Sequence, residues 1–158
     1  MPTEQEDPLG YWCALIGHEY LGAMRRRLGH LGIDRWFFVL ARMAEVEGPI
    51  TQQQLADELR LDKVAMMRAI DHLQSHGYVK RKVCQADRRK HHLELQPKAK
   101  PAVKDVQQAC AALNELALGS LKATERQKLF MLLEKMGDRL HRADEQEDIP
   151  HKPGRKPN

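Results

Sequence analysis

Apolar residues recur at steps of three and four near both ends of the chain, which is the spacing of one face of an α-helix. The first repeat predicts a helix over about 9–31, with an apolar face formed by Trp12, Ile16, Tyr20, Met24, Leu28 and Leu31. Two later repeats predict helices over about 98–119 and 124–143. Thr124 and Gln127 have the spacing of a capping box at the start of the last helix. The side chains expected to be buried there are Leu129, Leu133, Met136 and Leu140.

The middle of the chain carries shorter elements with explicit end signals. A helix is predicted over about 34–47. Thr51 and Asp62 then each have the side chain needed to accept a hydrogen bond at the N-terminus of a short helix. The second of these helices has an apolar stripe formed by Met66, Ile70 and Leu73. After it the period changes to two, which predicts strands over 78–84 and 91–95 joined by a turn.

This order of elements is mainly α-helical with one small β-hairpin. Two short helices joined by a tight turn and followed by a hairpin predict a winged helix-turn-helix. In that module the second helix enters the DNA major groove, and the hairpin, or wing, reaches the neighbouring backbone. If the apolar stripe faces inward, the residues on the outer face and flanks are Val64, Met67, Arg68, Asp71 and His72, with Lys63 near the start. An arginine there can bond guanine twice, a histidine can contact a base or a phosphate, and apolar groups can pack on thymine methyls.

Positive charge is concentrated in the predicted wing. The chain has a formal net charge of +4, and residues 78–90 contain six basic side chains and a single acidic one, Asp87. Such an excess indicates a surface for phosphates. Asp87 can hold a neighbouring arginine of the turn in place, and Arg81 can brace the hairpin. The other predicted DNA contacts are Thr51, Gln52 and Gln53 at a helix N-terminus and Arg88, Arg89 and Lys90 at the wing tip.

The stretch from Thr51 to Lys100 resembles the central region of the MarR-type bacterial transcription regulators. It contains Gln-x-x-Leu-Ala, Arg-x-x-Asp-x-Leu, Gly-x-Val-x-Arg and, before a leucine-containing strand, Asp-x-Arg. With the flanking helices included, the resemblance covers about Leu9 to Ala143. It implies one MarR-like domain over 9–143, in which a winged helix-turn-helix over about 34–96 is embedded between dimerisation helices.

The resemblance also implies a mode of action. It indicates a homodimeric repressor that holds two winged modules over a pseudo-palindromic operator in double-stranded DNA and is released by a small, often aromatic, ligand. Family members commonly have hydroxyl side chains where this chain has Val64, Ala65 and Met67. The operator is therefore expected to differ, with more weight on methyl contacts.

The chain ends and the cysteines bear on location. The acidic N-terminus lacks the basic start of a signal peptide, no apolar run is long enough to span a bilayer, and the three cysteines are scattered without a CxxC pair. We therefore expect a reducing, cytoplasmic setting and no membrane contact. Residues 1–8 and the Pro-, Gly- and charge-rich segment 144–158 are predicted to be disordered tails.

Two sensory sites are open alternatives. A ligand pocket is placed near Trp12, Trp36 and Met43, although apolar residues at helical spacing also suit a core. Cys13 lies in the first helix, where some relatives keep a peroxide-reactive cysteine, so thiol-based redox sensing is an alternative to a small buried cysteine. Tyr20 is the one tyrosine near enough to assist such a thiol.

Other chemistries receive less support. His72 and His76 lie one helical turn apart, with Cys84, His91 and His92 on the hairpin, but DNA contact accounts for them more simply than a metal site. The sequence has no phosphate-binding glycine loop and no nucleophile motif, so we predict neither an enzyme nor a bound cofactor. The remaining alternative is a winged-helix protein-interaction module that has lost sequence-specific DNA binding.

Overall fold

A computed structural model of the chain describes residues 8–83 and 91–145. Its helices are α1 (Leu9–Leu28), α2 (Phe37–Glu45), α3 (Gln52–Leu59), α4 (Lys63–Ser75), α5 (Ala99–Leu118) and α6 (Ala123–Glu145), with a 3₁₀ turn over Gly29–Leu31 after α1. Its strands are β1 (Ile50–Thr51), β2 (Val79–Val83) and β3 (His91–Leu95). The predicted fold class, mainly helical with a small wing, is confirmed.

Several predicted features lie outside the described residues. They are the turn of the wing with Cys84, Asp87, Arg88, Arg89 and Lys90, and most of both tails. Residues 144 and 145, which were assigned to the expected C-terminal tail, are helical, because α6 continues to Glu145.

The chain divides into two compact units, Met1–Asn114 and Glu115–Asn158. The first unit contains one apolar core, to which α1, α2, α3, α4, the sheet and α5 all contribute. Its largest fully buried side chains include Met24, Ile33, Phe37, Leu40, Leu55, Met66, Ile70 and Leu73. The stripe predicted for α4 therefore lies in the centre of this core. Within the part of the chain that the structure describes, no helix is both long and apolar enough to cross a membrane.

Side-chain caps fix the starts of α3 and α4. The Thr51 hydroxyl oxygen accepts from the Gln54 backbone N–H at 3.2 Å, and the Gln54 side-chain oxygen accepts from the Thr51 N–H at 2.9 Å. Asp62 accepts from the Ala65 N–H at 2.7 Å. Gly77, with φ of 75°, follows α4 in the left-handed conformation that glycine adopts without steric cost. The helix-turn-helix is thus set by the local signals that predicted it.

The sheet has three antiparallel strands in the order β1-β3-β2. In β2 and β3, Val79 pairs with Leu95 and Val83 with His91, so the predicted hairpin is present. The first strand, β1, was not predicted, because two residues are too few to show a period. Its Ile50 pairs with Leu93. The interior strand of the wing is therefore β3.

Three predicted helix starts need correction. In α2, Asp34 has φ of +48° and the helix begins only at Phe37, three residues later than predicted. Likewise α5 begins at Ala99, one residue later than predicted. The capping box at Thr124 is wrong, because α6 already begins at Ala123. The carboxylate of Glu125 accepts from the Lys122 N–H at 2.7 Å, so the cap lies two residues earlier than predicted.

The apolar stripes at the two ends of the chain are largely exposed. In α6, Leu133 and Leu140 are 44% and 61% exposed, so the prediction that this helix buries them is wrong for the single chain. In α1, Trp12 and Ile16 are 37% and 62% exposed, whereas Met24 is fully buried. Within the described residues, the outer half of α1 and the stripe of α6 therefore keep apolar side chains exposed to water.

Candidate nucleic-acid interface

The outer face of α4 combines basic and apolar groups. Val64 and Met67 are 51% and 46% exposed, and Lys63 and Arg68 are also exposed. Met66, the residue directly before Met67, is fully buried. These four predicted side chains therefore point toward solvent. Their contact with DNA stays a prediction.

His72 takes a different place from the one predicted. Its Nε2–H donates to the Gly32 carbonyl at 2.8 Å, and its ring centroid lies 4.4 Å from that of His76. The Tyr78 hydroxyl donates to the neighbouring Leu31 carbonyl at 2.8 Å. The half-buried His72 therefore anchors the end of α4 to the turn after α1 through one ring nitrogen, and its contact with a base or a phosphate stays a prediction.

This docking predicts an unequal response at two neighbouring glycines. Gly32 has φ of +66°, and a Cβ there would meet the His76 ring at 3.2 Å. Gly32→Ala is therefore expected to lower the free energy of unfolding by about 1–2 kcal/mol. Gly29 has φ of −54° and nothing within 4 Å of a Cβ, so Gly29→Ala is expected to leave it unchanged or slightly higher. Urea unfolding of both variants checks this, and equal losses would contradict the docking.

Arg81 joins the wing to both helices of the helix-turn-helix. Its Nη2 lies 2.7 Å from Asp71 Oδ1 on α4 and 3.2 Å from the side-chain oxygen of Gln52 on α3. Its Nη1 donates to the Gln74 side chain at 3.2 Å. The bracing role predicted for Arg81 thus has specific partners. Asp71 and Gln74 were missed as partners, although their three-residue spacing on one flank of α4 was visible in the sequence.

The N-terminus of α3 lies beside this arginine. A cavity of about 590 Å³ is lined by Thr51, Gln52, Gln53, Gln54, Arg81 and His91. Backbone N–H groups at a helix start and a guanidinium both favour anions. The predicted contacts Thr51, Gln52 and Gln53 are therefore brought together with Arg81 in one polar recess next to α4.

A second ion pair lies within the wing itself. Lys82 on β2 lies diagonally across from Glu94 on β3, whose direct partner in the strand pairing is Lys80. The Lys82 Nζ lies 2.8 Å from the Glu94 Oε2. The hydrogen bond from Lys82 lowers the pKa of Glu94. This pair connects strand to strand, in contrast to Arg81, which connects strand to helix.

Comparison with known proteins agrees with this arrangement. Residues 33–90 match the family model of the MarR family. A MarR transcriptional regulator from Methanosarcina mazei Go1 superposes with a TM-score of 0.75 at 26% identity, over 85% of this chain and 96% of that one. The chain is therefore similar to MarR regulators in sequence over its winged module and in fold over most of its length.

Two more distant structures share the fold of this chain. The transcriptional regulator SlyA has a TM-score of 0.79 at 19% identity, over 90% of this chain and 99% of that one. The PcaV transcriptional regulator from Streptomyces coelicolor, solved in complex with its natural ligand, has a TM-score of 0.76 at 17% identity, over 87% of this chain and 96% of that one. The similarity therefore extends through the flanking helices as well as the winged module.

The predicted ligand pocket is not formed as expected. Trp36 lines a cavity of about 630 Å³ with residues of α1, α2, the end of α3 and the start of α4. Met43 lines a different cavity of about 390 Å³ near β1 and β3. Trp12 is exposed and packs edge-on against Tyr11 at 5.5 Å. Trp12, Trp36 and Met43 therefore do not line one common site.

Cys13 has an exposed side chain in α1. Tyr20, the tyrosine expected beside it, instead donates to Asn114 on α5 at 2.9 Å. Burial, together with the neighbouring Cys110, raises the pKa of Tyr20 to about 12. Burial also raises the pKa of the Cys110 thiol. The Tyr20 hydroxyl therefore bonds Asn114, and redox sensing through Cys13 lacks the tyrosine that was expected to assist it.

The histidines do not gather ligands. Among residues 8–83 and 91–143, no group of three or more His, Cys, Asp or Glu side chains is placed to hold a metal ion. His72 and His76 use one ring nitrogen each to bond backbone carbonyls. His91 and His92 lie on β3, whereas His72 and His76 lie at the end of α4. The hydrogen bonds of His72 and His76 to backbone carbonyls thus explain why the two histidines lie together at the end of α4.

Proposed function

We propose that the chain is a cytoplasmic, homodimeric, sequence-specific DNA-binding repressor that reads a pseudo-palindromic operator. The observation that carries the proposal is the outer face of α4, where Arg68 lies exposed beside the exposed apolar side chains of Val64 and Met67. An arginine fork suits guanine O6 and N7, and apolar groups suit thymine methyls. The proposal includes no catalytic step.

The surroundings of α4 support backbone contacts on both sides. Lys63 begins the helix, and the recess at the N-terminus of α3 adds Thr51 and Arg81. In the sequence between β2 and β3, the basic residues Arg88, Arg89 and Lys90 are further predicted phosphate contacts. We expect α4 to read bases while these flanking groups hold phosphates, because backbone contacts fix position and base contacts fix sequence.

The exposed apolar stripes support a dimer. Ile16 on α1 and Leu140 on α6 are each more than 60% exposed. Apolar side chains left exposed along a helix in this way are typical of a protein interface. A two-fold dimer places its two reading helices one DNA turn apart, at about 34 Å, so each subunit reads one half-site.

The cavity beside Trp36 supports release by a small aromatic ligand. Its walls are mostly apolar, and they include Leu59, Leu61 and Ala65 at the end of α3, the turn and the start of α4. A ligand in this cavity touches the turn that orients α4, and binding that favours a displaced α4 lowers the affinity for DNA. Arg35, 4.7 Å over the Trp36 ring, lies at the same cavity.

Selection of bound sequences from random duplex DNA tests the function. The expected result is a recovered palindrome whose half-sites are about 10 base pairs apart. Equal retention of every duplex, with no enriched sequence, contradicts it. That outcome, together with equal binding of RNA or acidic protein, is what the winged-helix interaction module predicts, since polyanion binding alone carries no sequence information.

A further inference from the structure

Asp71 is a carboxylate on the DNA-facing side of the winged module, where negative charge opposes phosphate binding. We propose that Asp71 is a positioning residue that holds the wing in register with α4 through Arg81, so that the two DNA-contacting elements act as one body. The inference rests on the proposed function. It assigns to Asp71 a contribution to sequence selectivity that does not involve touching DNA.

The contacts place one guanidinium at the meeting point of three elements. Arg81 is the central residue of β2, and its side chain is only 27% exposed, compared with 58% for Asp71. Its fork reaches Asp71 and Gln74 on α4 and Gln52 at the start of α3. A planar guanidinium with several fixed donors restrains orientation as well as distance.

Asp71 supplies the shortest and the charged contact of this set, at 2.7 Å against 3.2 Å for each glutamine. A charge-assisted hydrogen bond is stronger than a neutral one. Without the carboxylate, Arg81 keeps two neutral acceptors on two different helices and gains freedom to turn toward phosphate. The pitch of the wing relative to α4 then becomes less defined.

Charge and position make opposite predictions for Asp71→Asn. Removing a carboxylate from a DNA-facing surface strengthens binding to every duplex through the phosphates. Loosening the wing weakens binding to the preferred duplex alone, because only that complex needs the wing and α4 in fixed relation. The ratio of the affinity for the selected duplex to that for a scrambled duplex of equal composition therefore separates the two effects.

The pair Lys82–Glu94 gives a matched control. Glu94→Gln removes the same charge from the same module, but it breaks only a strand-to-strand contact within the wing. We expect Asp71→Asn to lower the selectivity ratio about 10-fold and Glu94→Gln to leave it within about twofold. Arg81→Lys is expected to lower the ratio as Asp71→Asn does, because one ammonium cannot span the three acceptors.

The experiment measures both affinities by fluorescence anisotropy with labelled duplexes, alongside the melting temperature of each free variant. A ratio unchanged by Asp71→Asn overturns the inference, and so does an equal loss in Glu94→Gln. A lower melting temperature with an unchanged ratio shows a purely structural pair and overturns it as well. A wild-type ratio of one contradicts the proposed function itself, whereas a high wild-type ratio kept by Asp71→Asn contradicts only the positioning role.

Discussion

The double variant Leu133→Glu, Leu140→Glu is expected to be monomeric at micromolar concentration and to bind its selected duplex at least about 100-fold more weakly than the wild type. Both side chains lie on one stripe of α6 and are 44% and 61% exposed in the single chain. A dimer that covers this stripe would bury two unpaired carboxylates per chain, which costs far more than an interface of this kind supplies. Sedimentation velocity and anisotropy titration measure the two effects.

Met131→Glu is the matched control for this dimer variant. Met131 is 56% exposed on the same helix, but it lines a polar surface cavity with Lys135, Asp138 and Arg139. A charge there joins other charges, so we expect the dimer and its affinity for DNA to be kept. A double variant that stays dimeric, or a Met131→Glu chain that dissociates equally, would contradict the placement of the interface on the leucine stripe.

Arg68→Ala is expected to weaken binding to the selected duplex by about 1–3 kcal/mol and to relax the preference at one base pair of each half-site. Arg68 lies exposed on α4 beside Val64 and Met67, and an exposed guanidinium can make a bidentate contact to guanine. Competition titrations with duplexes altered at single positions check both the loss and its location.

Arg27→Ala removes the same charge from the last turn of α1, where it lies exposed. We expect this variant to change neither the base preference nor the affinity by more than a long-range charge effect, which salt screens within about 10 Å. If Arg68→Ala and Arg27→Ala lose affinity equally and both keep the base preference, α4 does not read the major groove.

The helix-turn-helix could be predicted almost to the residue because its signals are local. Thr51 and Asp62 cap helices within three residues of themselves, and β3 has the bounds that its alternating pattern predicted. The buried stripe of α4 followed from spacing alone, since a helix that packs on one side must repeat its apolar positions with the helical period.

The errors arose where tertiary contacts decide. The bond from the His72 ring to the Gly32 carbonyl, 40 positions earlier in the chain, was not predicted, because the position of His72 on the flank of α4 does not reveal it. The cavity beside Trp36 depends on how α2 meets the turn before α4, which no spacing within α2 encodes. The stripe of α6 was identified correctly as apolar, but periodicity does not say whether the same chain or a second copy covers it.

Guanine-methylation interference on the selected duplex tests the central claim most directly, because methylation at N7 blocks contacts in the major groove alone. Two chains that each insert α4 predict interference at two clusters of guanines related by a two-fold axis and about one helical turn apart. A single cluster without symmetry, or binding unaffected by methylation at any guanine, would contradict the account.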